Sequence, residues 1–205
     1  FVIDKGFDIL FFGNIPNGAG LSSSASIEIA MSVVLKGLYN LDVDMIKMVK
    51  LSQKAENSFI GVNCGIMDQF AIGMGKKDSA ILLDCNTLKY DYAPVVLKDA
   101  AIVIGNTNKR RGLADSKYNE RRGECERALS QLKEKLNITS LGNLSIAEFE
   151  INKEIITNEI DRKRAKHAVY ENQRTLEAVE KLGQGDIEAF GKLMNQSHIS
   201  LRDDY

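Results

Sequence analysis

The pattern of apolar and polar positions predicts strands and turns in the first half of the chain. Residues 7–15 are rich in aromatic and β-branched side chains, which is typical of a strand. A second strand is predicted for the run AAIVIGNTN, and because this run is largely apolar we expect it to be buried. The segments SAILLDC and LKYDYAPV predict a hairpin with Asn86 and Thr87 between its strands.

Apolar residues at helical spacing predict helices on both sides of these strands. Residues 23–39 predict a helix with a serine as N-cap and Asn40 at its end. The segment VDMIKMVKLSQKAENSF predicts a second helix, with Asp42 as its cap. A long helix is predicted over about 114–135, the segment NITSLGNLS is predicted to be a polar loop, and residues 146–201 are predicted to be helical.

Composition and charge favour a folded protein that acts on small molecules. The 205 residues are 44% hydrophobic and 27% charged, which is enough for one large domain or two small ones. The formal net charge is −1, so no overall field draws the chain to nucleic acid or membrane. No apolar run approaches the roughly 20 residues of a membrane helix. The change from strands to helices near Pro94 predicts domains at residues 1–94 and 95–205.

The cysteines and histidines do not form a metal-binding or disulfide pattern. Cys64, Cys85 and Cys125 are far apart and odd in number, so we expect free, partly buried thiols in a reducing cytoplasm. His167 and His198 are isolated in the sequence, and no serine–histidine–acid order is evident.

The segment GNIPNGAGLSSSAS, residues 13–26, combines a glycine-rich turn with three consecutive serines and a predicted helix start. It does not match the two standard nucleotide motifs, because Ala19 and Gly20 stand where the Walker loop needs Lys and Ser or Thr, and Ser23 replaces the third glycine of the dinucleotide motif. Glycines still let backbone N–H groups approach an anion, and a helix N-terminus favours negative charge. From these residues alone, a phosphate loop and an ordinary serine-capped helix are both open interpretations.

The string PNGAGLSSSAS resembles the P-x-G-x-G-L-S-S-S-A motif of the GHMP kinases. Three later stretches are similar to the galactokinases of that family: QKAENSFIGVNCGIMDQF, NTNKRRGLADSKYNERR and SHISLRDDY. The resemblance extends along essentially the whole chain. It implies an α+β fold with two lobes, the N-terminal lobe like domain 2 of ribosomal protein S5 and the C-terminal lobe ferredoxin-like. It also implies a cytoplasmic enzyme that transfers a phosphoryl group from ATP to the anomeric hydroxyl of galactose.

The resemblance also implies a role for individual residues. Asp68 aligns with the catalytic aspartate, which accepts or orients the proton of the sugar hydroxyl. Gly65, Asp68 and Tyr118 are implied in sugar binding, and Ser24 and Glu56 in binding Mg²⁺, which prefers hard oxygen ligands. The residues implied in binding the ATP phosphates are Gly18, Ala19, Gly20, Leu21, Ser22, Ser23, Ser24 and Arg110.

Without the resemblance, a structural interpretation of these residues is at least as good. Asp68 would be an ordinary helix cap, Glu56 part of a solvated helix face, and the basic run after the AAIVIGNTN strand a solvated turn. Two further family signatures, an N-terminal G-R-x-N-L-I-G-E-H stretch and a C-terminal G-x-G-x-G-G loop, are not found in the chain. We therefore expect both lobes to be incomplete, and activity of the chain alone to be in doubt.

Three alternative functions follow from the same sequence. One is a related kinase for N-acetylgalactosamine or a similar sugar, because no residue fixes the surroundings of the sugar's C2. Another is a non-catalytic relative that binds galactose and ATP, but in such relatives the serine loop is typically altered, whereas here GLSSSAS is intact. A nucleic-acid-binding module would rest only on the runs NKRRG and DRKRAKH, and we interpret DRKRAKH as a solvated helix face.

Overall fold

The computed structural model describes residues 2–16, 19–106 and 117–205. These residues contain helices and a two-stranded sheet, in the order α1 (Ser23–Leu38), α2 (Met45–Ala55), α3 (Met67–Met74), β1 (Ser79–Leu83), β2 (Tyr90–Pro94), α4 (Lys117–Lys133), α5 (Ile146–Asn152), α6 (Glu159–Gln184) and α7 (Ile187–Asp204). A π-helical turn, Glu56–Ile60, follows α2 directly, and short 3₁₀ turns lie at Leu141–Asn143 and Lys153–Ile155.

Contacts divide the chain into two compact units. The first comprises the described residues of Phe1–Lys77, Leu83–Tyr90 and Asp99–Asp115, and the second comprises those of Asp78–Leu82, Asp91–Lys98 and Ser116–Tyr205.

Helices α1, α2 and α3 pack together in the first unit. Each helix contributes apolar side chains to a shared interior, and the buried residues are Ala25, Ile29, Met48, Val49 and Phe70. Phe70 also contacts the ring of Tyr90 edge to face, with 5.2 Å between ring centroids. This packing fixes the start of α1, the end of α2 and the start of α3 relative to one another, which matters for the site.

The helix starts of the first unit differ from the predicted caps. The N-cap of α1 is Ser22, but its side chain makes no hydrogen bond to the free N–H groups of the helix. The cap of α2 is Asp44, which accepts a hydrogen bond from the backbone N–H of Lys47 at 2.7 Å. The predicted cap, Asp42, is wrong, because the helix begins two residues later than expected and Asp42 lies exposed before it.

Two of the predicted strands are not formed by the described residues. Neither residues 7–15 nor residues 101–106 are strand, and the only sheet among the described residues is β1 with β2. Leu10, Phe12 and Val103 are among the exposed apolar side chains there. A β pattern needs a partner strand to satisfy its backbone N–H and C=O groups, so sequence pattern alone does not produce a strand. The expected burial of the AAIVIGNTN run is likewise wrong for residues 101–106.

The hairpin and the helices of the second half are confirmed. The loop between β1 and β2 is longer than the two predicted residues, Asn86 and Thr87. The Asp84 carboxylate caps a turn in this loop, and the backbone N–H of Asp84 donates a hydrogen bond to the carbonyl of Lys89 at 2.9 Å. In the second unit, α4, α5 and α6 bury Leu132, Phe149 and Val169 in one core. The segment predicted as a polar loop contributes Leu141 and Leu144 to that core.

The basic run DRKRAKH on α6 is not the solvated face that the sequence predicted. Arg164 has a side chain only 12% exposed, because it pairs with the buried Glu124 at 2.8 Å and donates to the carbonyl of Asp204 at 2.7 Å. His167 is buried against α7, with its Nδ1 2.9 Å from the hydroxyl of Ser200. Both residues therefore stabilise the contact between helices of the second unit.

Candidate active site

Glu56 is at the centre of a hydrogen-bonded cluster where α1, α2 and α3 meet. It begins the π-helical turn after α2 and is 5% exposed. Its Oε1 accepts a hydrogen bond from the Ser24 hydroxyl at 3.2 Å, and its Oε2 accepts one from Gln69 Nε2 at 2.6 Å. The interpretation of Glu56 as part of a solvated helix face is therefore wrong. A buried carboxylate is stable only when its oxygens are satisfied in this way.

Glu28 is a second carboxylate in the same cluster. It lies one helical turn after Ser24 on α1, and its Oε2 accepts a hydrogen bond from the same Gln69 nitrogen at 3.1 Å. Burial raises the pKa of Glu28, the hydrogen bond from Gln69 lowers it and repulsion by Glu56 raises it, so that the pKa lies above its ordinary value. Among the described residues, no ion pair of either carboxylate with Lys, Arg or His is present. Their charges are countered there by neutral donors only.

Cys64 completes the cluster from the loop before α3. Its Sγ is 3.5 Å from Glu56 Oε2 and 3.2 Å from Asn57 Oδ1. Burial, and then repulsion by Glu56, raise the pKa of Cys64 to about 11. The thiol is therefore protonated at neutral pH and acts as a hydrogen-bond donor. All three cysteines are free thiols, as predicted, although Cys85 is exposed rather than partly buried.

The glycine- and serine-rich loop leads into this cluster at the N-terminus of α1. Gly20 and Ser22 both have left-handed backbone conformations, with φ of 73° and 52°. The residues from Ala19 to Ser24 lie in the turn and the first positions of the helix. The Ser22 side chain makes no capping hydrogen bond, so it does not occupy the N–H groups at the start of α1. The site therefore offers backbone donors and hydroxyls to an anion.

Asp68 lies next to Gln69, in the first turn of α3, and is exposed. Helical geometry directs Gln69 into the cluster and leaves the Asp68 side chain on the accessible side. Gly65 is exposed, and a Cβ added there would meet no atom within 4 Å. Asp68 and Gly65 thus lie within four residues of each other on an accessible surface of the first unit.

The remaining predicted site residues lie outside the first unit or outside the described residues. Tyr118 is in the second unit, near the start of α4, and is 56% exposed. Gly18 and Arg110 lie outside the described residues, so their predicted roles stay predictions. Within the described residues there is no group of three or more His, Cys, Asp and Glu side chains that could hold a metal ion. A metal here would therefore take few protein ligands, such as the oxygens of Ser24 and Glu56.

Sequence reasoning missed Glu28, Gln69 and Cys64. Glu28 could have been found, because residues four apart on a helix share a face and Ser24 was already a candidate. Gln69 carried only one signal, its position next to Asp68 in a short apolar segment. Cys64 carried no signal, because a partly buried thiol has no distinctive sequence context.

The chain matches known proteins along its length. Residues 2–76 match the family model of the GHMP kinases N terminal domain. The chain is 67% identical to a galactokinase of Fusobacterium nucleatum over 204 residues and 64% identical to a galactokinase of Clostridium acetobutylicum over 203 residues, each covering 99% of the chain. It covers 52% of each relative, so the chain spans about half the length of the curated relatives it matches.

A solved structure gives the same result for the fold. The crystal structure of Lactococcus lactis galactokinase complexed with galactose matches 94% of this chain and 50% of that one, with a TM-score of 0.91 and 54% sequence identity. Together with the described helices and sheet, this match establishes a GHMP kinase fold of mixed helix and sheet. Among the described residues, no helix has the length and apolar character needed to span a bilayer. The chain is therefore similar to the GHMP kinases over residues 2–76 and to galactokinases along its whole length.

Proposed function

We propose that the protein containing this chain is a galactokinase, which uses ATP to phosphorylate the anomeric hydroxyl of galactose. The observation that carries the proposal is the meeting of Ser24 and Glu56 at the serine-rich loop, in a chain 55–67% identical to galactokinases of several bacteria. The proposal includes two lobes, at residues 1–94 and 95–205, of the types implied by the resemblance. It also includes a cytoplasmic location.

The loop binds the phosphates of ATP in this proposal. The left-handed conformations of Gly20 and Ser22 turn the chain into α1, and they present successive N–H groups at its positive end. Gly18, Ala19, Leu21 and Ser23 complete the loop, and Arg110 is proposed as a charged contact to the same phosphates. A guanidinium suits this role because it donates two parallel hydrogen bonds to phosphate oxygens.

Ser24 and Glu56 fit the demands of Mg²⁺. Mg²⁺ binds oxygen ligands at about 2.0–2.1 Å and takes one or two side chains together with waters and phosphate oxygens. The two oxygens lie 3.2 Å apart, close enough for both to contact one small ion. Glu56 supplies the negative charge and Ser24 a neutral oxygen. When bound, the ion would neutralise charge on the phosphates of ATP.

Asp68 acts on the sugar hydroxyl in this proposal. The oxygen of the hydroxyl forms a bond to the γ-phosphorus of ATP while the bond from that phosphorus to ADP breaks, and Asp68 orients the hydroxyl and accepts its proton. Its exposed position in the first turn of α3 leaves the carboxylate accessible to a substrate. Gly65 leaves open space beside it, and Tyr118 is proposed as a further contact to the sugar.

The proposal is tested by ADP release from Mg·ATP, with and without galactose. We expect release that requires galactose and that falls by about 100-fold or more in Asp68→Asn, the range expected for loss of a general base. Asp42→Asn is the matched control, because Asp42 is exposed in the same unit and contacts no member of the cluster. A panel including N-acetylgalactosamine separates the related sugar kinase, and galactose binding without any ADP release would instead support the non-catalytic relative.

A further inference from the structure

Gln69 is fully buried between two carboxylates, and none of the proposed site roles includes it. It is 0% exposed, and its side-chain nitrogen donates to Glu56 at 2.6 Å and to Glu28 at 3.1 Å. Both N–H bonds of the amide are thereby used on carboxylates from two different helices. Burying an amide so completely is costly unless its donors are satisfied, so the contact is a specific feature of the site.

The contact fixes the plane of the Glu56 carboxylate, so that one of its two equivalent oxygens faces Ser24. Gln69 occupies Oε2, and Oε1 is left to the Ser24 hydroxyl at 3.2 Å. A rotation of the carboxylate out of this plane would break the shorter bond to Gln69. The Ser24–Glu56 pair is therefore held in place by a residue that itself lies beside Asp68 in the sequence.

We propose that Gln69 is a positioning residue of the kinase site, which fixes the Glu56 carboxylate towards Ser24 by hydrogen-bonding Glu56 and Glu28 together. The inference rests on the proposed function, because it assigns Glu56 to the metal–nucleotide complex. Gln69 acts only through Glu56, as the outer partners of metal ligands do. Removing such a partner typically reduces metal affinity or activity by about 10–100-fold.

The test compares Gln69→Leu with Gln53→Leu. Gln53 lies in the same unit and donates to the carbonyl of Cys64 at 3.1 Å, so the control removes a glutamine amide of equal size that does not touch either carboxylate. The affinity for Mn²⁺·ADP, measured by water-proton relaxation on folded protein, is expected to fall about tenfold in Gln69→Leu and to stay at the wild-type value in Gln53→Leu. The Mg²⁺ concentration for half-maximal activity should rise in parallel, while KM for galactose stays unchanged.

A second variant keeps the test open if Gln69→Leu does not fold. Gln69→Asn retains the amide but is one methylene shorter and cannot reach both carboxylates, so it should show the same loss of Mn²⁺·ADP affinity. Wild-type affinity in a folded Gln69 variant would overturn the inference while leaving the proposed function intact. A wild-type protein that binds no Mn²⁺·ADP would instead overturn the proposed function, and this inference with it.

Discussion

The Ser24 hydroxyl lies 3.2 Å from Glu56 Oε1, although 32 residues separate the two positions in the sequence. The contact joins the first turn of α1 to the π-helical turn that follows α2, because α1 and α2 pack side by side. It places a neutral oxygen and a charged one together at the end of the serine-rich loop. That combination suits a site that must bind phosphate and a divalent cation at once.

Ser24→Ala should weaken the metal–nucleotide complex without unfolding the chain. The substitution removes one oxygen of the pair and leaves Glu56 with its bond from Gln69. We expect the affinity for Mg·ATP to fall by about tenfold or more, because even the loss of an outer partner of a metal ligand costs about 10–100-fold. Ser26→Ala is the control, since Ser26 lies two residues along the same helix with no side-chain contact to Glu56 in the described structure. Calorimetric titration with a non-hydrolysable ATP analogue would measure both, and equal affinities would refute the assignment.

The helices were predictable from sequence, but the partners of the strands and the interior of the site were not. Apolar spacing over residues 23–39 predicted α1 to within a residue because a helix satisfies its own backbone. Residues 7–15 carried an equally clear β pattern but are not strand in the structure, because a strand depends on a neighbour that the pattern does not specify. Glu56 was assigned by resemblance alone, and its burial follows from packing of three helices. Gln69 could not be assigned from sequence, because its contacts also depend on how the three helices pack.

Gly73→Ala should destabilise the first unit. A Cβ at this position on α3 would lie 2.8 Å from Val49 Cγ2 and 3.2 Å from Met45 Sδ, and Val49 is fully buried. Overpacking of this kind costs about 1–3 kcal/mol, which outweighs the gain of about 1 kcal/mol in helix propensity. Gly37→Ala, exposed near the end of α1 with no atom within 4 Å, should instead stabilise by up to about 1 kcal/mol. Urea unfolding of both variants checks the opposite signs.

His167 should make the stability of the chain depend on pH. Burial lowers the pKa of His167 below its ordinary value of 6.5, because the charged ring is disfavoured between α6 and α7. The unfolded chain then binds a proton more readily than the folded chain. The contribution of His167 to the free energy of unfolding is therefore fully present above pH 6.5, and it is lost as the pH falls from there towards the lower pKa of the folded state.

The measurement for His167 is the free energy of unfolding between pH 8 and pH 5. His167→Gln should flatten the decline over this range, because glutamine does not titrate and its amide can replace the ring nitrogen near Ser200. His198→Gln is the matched substitution at the other histidine of the chain. An unchanged pH dependence in His167→Gln would show that another group is responsible.

The same substitution should have opposite effects at the two carboxylates bonded to Gln69. In Glu56→Gln, the carboxylate that accepts hydrogen bonds from Ser24, Cys64 and Gln69 becomes a neutral amide, and the Ser24 hydroxyl must reverse to accept from the new NH₂ group. Hydrogen bonds to a charged group contribute more than neutral ones, so the change costs about 1–3 kcal/mol. In Glu28→Gln, the new carbonyl can accept the bond from Gln69, and the charge that repels Glu56 disappears. At pH 7 without metal, thermal unfolding should show a lower midpoint for Glu56→Gln and a higher one for Glu28→Gln. A fall of both midpoints would mean that repulsion between the two carboxylates does not limit the stability of this cluster, and a rise of both would mean that the relief of repulsion outweighs the loss of charged hydrogen bonds at Glu56.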